Sequence, residues 1–147
     1  MAVAHPELHP GKFKSTFKVT EVMIDYNGHM NNVIAAKWIQ DIALEHANAC
    51  GATEVAESLN AGWMIRTQHI EYRAQAFLGD EIEGTTWVPE YARSFTHRLC
   101  SFKRLSDKVE IFNSETTWVL IDRGKGRPMG IPEELMEKFR EKEPENA

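Results

Sequence analysis

Hydrophobic and polar positions change their period twice along the chain. Residues 13–22 (FKSTFKVTEV) alternate, with Phe13, Ser15, Phe17 and Val19 on one side and Lys14, Thr16, Lys18 and Thr20 on the other. A period of two, rich in aromatic and β-branched residues, predicts a strand. Asp25-Tyr26-Asn27-Gly28 then supplies turn chemistry. From Asn31 or Asn32 the period becomes helical: Ile34, Trp38, Ile42 and Ala43, with Ile39 beside them, recur through Ala49, while Lys37, Asp41 and Glu45 project elsewhere. Either asparagine can cap this helix, and Gly51 stops it. A largely apolar helix of about five turns, at ~1.5 Å rise per residue, is suited to lying in a sheet.

A short helical piece spans Thr53 to Leu59 and ends at Asn60-Ala61-Gly62, after which the strand period returns. Residues 63–73, 81–90, 94–104 and 108–121 read as strands, separated by turns at Phe77-Leu78-Gly79-Asp80, Tyr91–Arg93 and Ser106-Asp107. Pro89 cannot donate to a ladder, so it is expected at a strand end, an edge or a bulge. A late helix is expected over Pro132–Arg140, where proline at the start precedes Glu133 and Glu134. The tail EKEPENA reads as frayed. A strand, a long and a short helix, then four consecutive strands predict an α+β fold, with the helix packed on one face of an antiparallel sheet. The other face should be mostly polar or covered by a partner.

The length of 147 residues and 42% hydrophobic content suit one soluble domain, read as residues 1–147 with an ordered core of about 12–140. The net charge of −5 gives no global field for nucleic acid. Cys50 and Cys100 are too few for a disulfide framework, and residues 1–14 hold no apolar run of the secretory kind. Nothing approaches the ~20 apolar residues of a membrane span. A reducing, cytoplasmic compartment is therefore expected.

The densest polar cluster is Asp25-Tyr26-Asn27-Gly28-His29-Met30-Asn31-Asn32, where the first strand meets the long helix. It combines a carboxylate, a flexible turn, an imidazole and a helix N-terminus. Amides at a helix start lack internal acceptors and can bind a developing oxyanion, while a nearby carboxylate serves as nucleophile or as base toward water. On spacing alone the same string reads equally as an ordinary cap and turn. Glu45-His46 lacks helical zinc spacing and no Cys-x-x-Cys occurs, so no metal site is expected. No Gly-x-Ser-x-Gly elbow is present, and Cys50 at the far helix end reads as a packing residue.

The string DYNGHMNN, followed by a helix and then by residues 69–80 (HIEYRAQAFLGD), resembles the 4-hydroxybenzoyl-CoA and acyl-carrier-protein thioesterase families of the hotdog superfamily. The likeness runs from about Phe13 to Arg140, with Tyr72-Arg73 and Gly79-Asp80 in the expected order. It implies a hotdog fold, a long helix wrapped by an antiparallel sheet with a short C-terminal helix. It also implies hydrolysis of an acyl-CoA or acyl-carrier-protein thioester, with coenzyme A as part of substrate or product and no separate cofactor. By the same resemblance Asp25 matches a catalytic aspartate, Asn27 and His29 match polar residues of an Asp-x-Asn-x-His string, and Asn32 matches the position whose backbone amide polarises the carbonyl. Tyr91-Ala92-Arg93-Ser94-Phe95 matches a region that touches coenzyme A phosphates, frequently from the neighbouring subunit. This makes Arg93 and Ser94 substrate-binding candidates beside Tyr72 and Arg73. A homodimer, or a dimer of dimers, is implied as well.

Other residues have plainer readings. Arg66, Arg73 and Arg98 could supplement the phosphate site but read by default as solvated strand residues. Glu71, His69 and His97 read as ordinary strand positions, and Asp41 is a reserve carboxylate on the helix. Trp63, Trp87, Trp118 and Trp38 read as core or interface residues, with an aromatic pocket for a cationic or aryl acyl group as an alternative. Two other functions fit the fold: a non-catalytic acyl-CoA sensing module, which would not need Asp25, and a hydroxyacyl dehydratase. The latter usually places Pro-Gly shortly after its histidine, where this chain has Met30-Asn31-Asn32.

Overall fold

The computed structural model describes residues 11–140 and the backbone of Val3–Ala4; the stretch 141–147, expected to fray, lies outside the described residues. In chain order the elements are β1 (Val3–Ala4), β2 (Phe13–Lys18), a 3-10 turn (Glu21–Met23), α1 (Asn32–Cys50) and α2 (Ala52–Ser58). They continue with β3 (Ala61–Tyr72), β4 (Glu81–Tyr91), β5 (Phe95–Arg104), β6 (Glu110–Asp122), β7 (Arg127–Pro128) and α3 (Glu133–Glu137). All paired strands are antiparallel. The sheet runs β4–β5–β6–β3; β1 and β2 share the outer edge of β4, and β7 pairs the end of β6. This is the curled sheet and enclosed helix of the hotdog fold.

Period-two patterning explains the layers. Ile82, Gly84, Thr86 and Val88 of β4, and Thr96, Arg98, Cys100 and Phe102 of β5, point into the protein and are buried, alternating with less buried neighbours. Against them α1 lays Ala35, Trp38, Ile39, Ile42, Ala43, His46 and Ala47. Two apolar clusters result. Around the first half of α1, Trp38, Ile39 and Ile42 pack with Ile82, Phe102 and Phe112, and the Phe102 and Phe112 rings stack at 4.4 Å. Around the second half, Ala47 packs with Ala52, Ala56, Leu120, Leu135 and Phe139.

Gly84 fixes how closely helix and sheet approach. A Cβ there would fall 2.6 Å from Phe102 Cε2 and 2.8 Å from Ile42 Cδ1, so the helix rests on bare backbone. Pro89 sits in a β-bulge, as its chemistry requires. Pairing runs from Trp87 opposite Leu99 directly to Glu90 opposite His97, leaving Val88 and Pro89 across from Arg98.

Three expectations need correction. The first strand ends at Lys18 rather than running to residue 22, because Glu21–Met23 turns into a 3-10 segment. The short strand Arg127–Pro128 was not anticipated. Arg98 is not a solvated strand residue: it is 4% exposed, with Nη1 2.9 Å from His46 Nδ1 and donating to Thr86 Oγ1 at 3.0 Å. Its position has the same parity as Cys100 and Phe102, and parity rather than residue type sets its direction.

Candidate active site

The Asp25 loop is closed by its own backbone. Ile24 and Met30 form an isolated antiparallel bridge, Asp25 N donates to His29 O at 2.9 Å, and Gly28 N donates to Asp25 O at 3.0 Å. The turn needs a positive φ at position 28, where glycine sits at +82°. Asp25 Oδ1 accepts the amides of Asn27 at 2.9 Å and His29 at 3.3 Å. Backbone thus holds one carboxylate oxygen, and Oδ2 has no hydrogen bond to any described residue.

The same loop delivers the start of α1. Asn31 N donates to Met23 O, and Asn31 is the N-cap, its side chain accepting Val33 N at 3.0 Å. Ile34 N donates back to Asn31 O at 2.9 Å. Of the amides at this helix start, that of Asn32 has no acceptor among the described residues. It is a donor placed at the positive end of a 19-residue helix.

The opposite wall comes from the end of β3 and the loop after it. Tyr72 OH donates to Asn32 O at 3.3 Å, tying β3 to the first helical turn. Arg73 donates to Glu71 at 2.7 Å, so Glu71 reads as its ion-pair partner. The Phe77 ring meets His29 edge-on at 5.6 Å. Asp80 accepts Phe77 N at 2.9 Å and lies 3.3 Å from Arg104 Nε, and Arg104 in turn donates to Gln75 O at 2.8 Å. Between the Asp25 loop, the start of α1 and residues 72–76 lies a cleft of about 490 Å³. Asp25, Asn27, His29, Asn32, Tyr72 and Arg73 all line it, with Gln75 as a wall residue that no sequence signal marked.

Arg93 and Ser94 lie elsewhere in the protomer. They form the β4–β5 turn, at the other end of β4 from this cleft, where Arg93 O accepts Ile131 N at 2.7 Å and Ser94 O accepts Leu120 N at 2.9 Å. Asp41 is paired with Lys37 at 2.6 Å and lines a separate cavity.

Asp25, with one carboxylate oxygen held and one available, and Asn32, whose helix-start amide has no described acceptor, line the same cleft, and a carboxylate and a helix-start amide are the pair needed for addition to a carbonyl. The sequence of residues 10–139 matches the family model described as acyl-ACP thioesterase N-terminal domain. The chain belongs to that family. Membership in this acyl-ACP thioesterase family supports a thioester hydrolase in general terms. A comparison with curated proteins by sequence gives no match.

Solved structures share the fold. A hypothetical protein from Staphylococcus aureus, solved in complex with CoA, is 19% identical with a TM-score of 0.79, covering 96% of this chain and 94% of that one. The probable thioesterase YbaW from Escherichia coli is 15% identical with a TM-score of 0.81, over 87% and 98% of the two chains. The 12:0-ACP thioesterase from Umbellularia californica is 17% identical with a TM-score of 0.78; the match covers 89% of this chain but 51% of that one. Among the described residues no helix is long and apolar enough to cross a membrane.

Proposed function

We propose that the chain hydrolyses acyl thioesters in the Asp25 cleft. The observation that carries this reading is that Asp25, with a carboxylate oxygen free of described hydrogen bonds, and Asn32, whose amide has no described acceptor, line one cavity. The thioester carbonyl would lie over the start of α1, with its oxygen toward Asn32 N–H. Asp25 Oδ2 attacks the carbonyl carbon, or takes a proton from a water that does so. The tetrahedral oxyanion is stabilised by the amide and the helix dipole, and its collapse expels the thiolate. Attack by Asp25 itself leaves an anhydride that water then opens; attack by water gives the free acid directly. His29 and Asn27 supply polar contacts beside the reacting centre, and Tyr72, at the end of β3, and Arg73, just after it, bind the substrate.

The acyl carrier is coenzyme A or acyl-carrier protein, the two named for the structural neighbours in the S. aureus complex and the Umbellularia enzyme. Arg93 and Ser94 fit this reading as phosphate contacts made across a subunit boundary. Supporting such a boundary, β3 pairs only β6, which leaves one edge of a 12-residue strand unpaired among the described residues. Long open edges are covered in stable proteins, and two copies pairing there would form a homodimer or the unit of a dimer of dimers. The site of action is the cytoplasm.

The test is thiol release from a panel of acyl-CoA and acyl-carrier-protein thioesters, run with wild type and Asp25→Asn, alongside light scattering for assembly. Turnover in wild type that is lost in a folded Asp25→Asn protein supports the reading. Binding of acyl-CoA with no turnover on any member would replace it with a sensing module. Turnover unchanged by Asp25→Asn would move the chemistry to another carboxylate, with Asp41 and Glu71 next.

A further inference from the structure

A second cavity, of about 370 Å³, lies between the later half of α1, α2 and the inner face of β3, β5 and β6. It shares no lining residue with the Asp25 cleft. Much of its wall is apolar, from Ala43, Leu44, Ala47 and Ala56. Its polar wall is unusual in being rich in unmatched donors.

Arg98 is the centre of that imbalance. Its guanidinium is buried, and its described partners are His46 Nδ1, Thr86 Oγ1 and the face of Phe139 at 5.3 Å. None of these is an anion. His46 accepts through Nδ1, so its ring carries the proton on Nε2 and is neutral. Arg98 Nε and Nη2 donate to no described residue, and no carboxylate among the described residues pairs with it. Removing a cation from water without a counter-charge is costly, and natural interiors answer such a charge with an anion. Two further donors in the same wall have no partner among the described residues: the indole N–H groups of Trp63 and Trp118 are buried and donate to none of them. By contrast, the two carboxylates at the cavity wall are already neutralised, Asp41 by Lys37 at 2.6 Å and Glu57 by Arg123 at 3.2 Å. No unpaired carboxylate among the described residues answers Arg98, and the cavity has room for one.

We propose that this cavity binds the carboxylate end of a small, mainly apolar acid, with Arg98 as its counter-ion. A carboxylate accepts two parallel N–H bonds from the free edge of a guanidinium, and a short apolar stem suits the alanine and leucine wall. The volume lies near the lower end of the ~300–1,000 Å³ range of small-molecule sites, which favours a medium-chain or single-ring acid over a long lipid. A cationic acyl group, an alternative raised by the tryptophans alone, is disfavoured because Arg98 would repel it. The site does not depend on thioester hydrolysis in the other cleft, and its test reads binding rather than turnover.

Wild-type protein is titrated by calorimetry with octanoate, octanamide and octylamine at pH 7.5. Octanoate is expected to bind at least ~10-fold tighter than octanamide, about 1.4 kcal/mol, with octylamine weakest. Arg98→Met should abolish that preference, and Arg98→Lys should keep part of it. Arg73→Gln, which removes the cation of the Asp25 cleft, should leave octanoate binding unchanged. Equal binding of octanoate and octanamide by wild type overturns the proposal, as does no binding of octanoate. Loss of octanoate binding in Arg73→Gln with retention in Arg98→Met places the acid in the other cleft and also overturns it. If Arg98→Met fails to fold, the wild-type selectivity and Arg73→Gln still decide.

Discussion

Replacing Gly84 with alanine tests whether α1 is seated on bare backbone. The new methyl would meet Phe102 Cε2 at 2.6 Å and Ile42 Cδ1 at 2.8 Å, and both side chains are fully buried. Phe102 has little freedom to yield, since it stacks on Phe112 at 4.4 Å and lies against Phe17 at 5.6 Å. Adding a methylene-sized group to a filled core costs about 1–3 kcal/mol. The reduced freedom of the unfolded chain returns about 0.4–1 kcal/mol. The net loss is then about 0–2.6 kcal/mol, or a fall in Tm of up to roughly 10 °C for a domain of this size. Urea unfolding followed by tryptophan fluorescence and far-UV circular dichroism would measure it. Ile42→Val supplies the internal control. Alone it should cost about 0.5–1.5 kcal/mol. In the Gly84→Ala background it should cost less, because the deleted carbon is one of the two that clash. Full additivity of the two changes would refute the close approach.

Asp25→Asn should lower kcat/KM for thioester hydrolysis by about 10²–10⁴, while the urea midpoint stays near that of wild type, because the asparagine oxygen can still accept the amides of Asn27 and His29. The His46 pKa is pushed down to about 3, by burial first and by the Arg98 cation second. The unfolded chain therefore binds more protons than the folded one between about pH 3 and the ordinary value of 6.5, and stability is lost as pH falls through that window. Urea midpoints measured from pH 4 to 7 should show this slope, and a His46→Gln protein should show a flatter one. Arg104→Ala removes the ion pair with Asp80 and the bond to Gln75 O, and should cost about 1–3 kcal/mol in urea unfolding. A larger effect on KM than on kcat would mark the loop after β3 as a wall for substrate.

Much of the scaffold could be read because its signals are local. Asn31 and Gly51 bound α1 through a side-chain cap and a left-handed residue, both determined by residue type. Pro89 announces a ladder defect without saying which kind; the structure supplies the bulge. The Asp25 string was legible as a turn feeding a helix, although spacing alone could not separate chemistry from capping. What could not be read depends on partners distant in sequence. Nothing near Gln75 signals that Arg104, 29 residues on, pins its carbonyl beside the cleft. Residue type points Arg98 to solvent, because arginine is so rarely buried, whereas the alternation from Thr96 to Phe102 turns it inward. The donor-rich cavity is invisible in sequence, since it needs Trp63, Arg98 and Trp118 from three strands to meet.

Gly51 closes α1 and serves as the N-cap of α2, so one residue with φ +91° sets the angle between the two helices. A Cβ there would meet Lys138 at only ordinary distance, 3.7 Å, so the constraint is the backbone angle rather than space. Since α2 contributes Ala56 and Glu57 to the second cavity, its width is tied to a single left-handed joint. For a lineage changing its ligand, this is a short evolutionary step. Asparagine, which tolerates that conformation, would keep the joint, whereas a β-branched residue would swing α2 aside and resize the chamber without altering a residue of its wall.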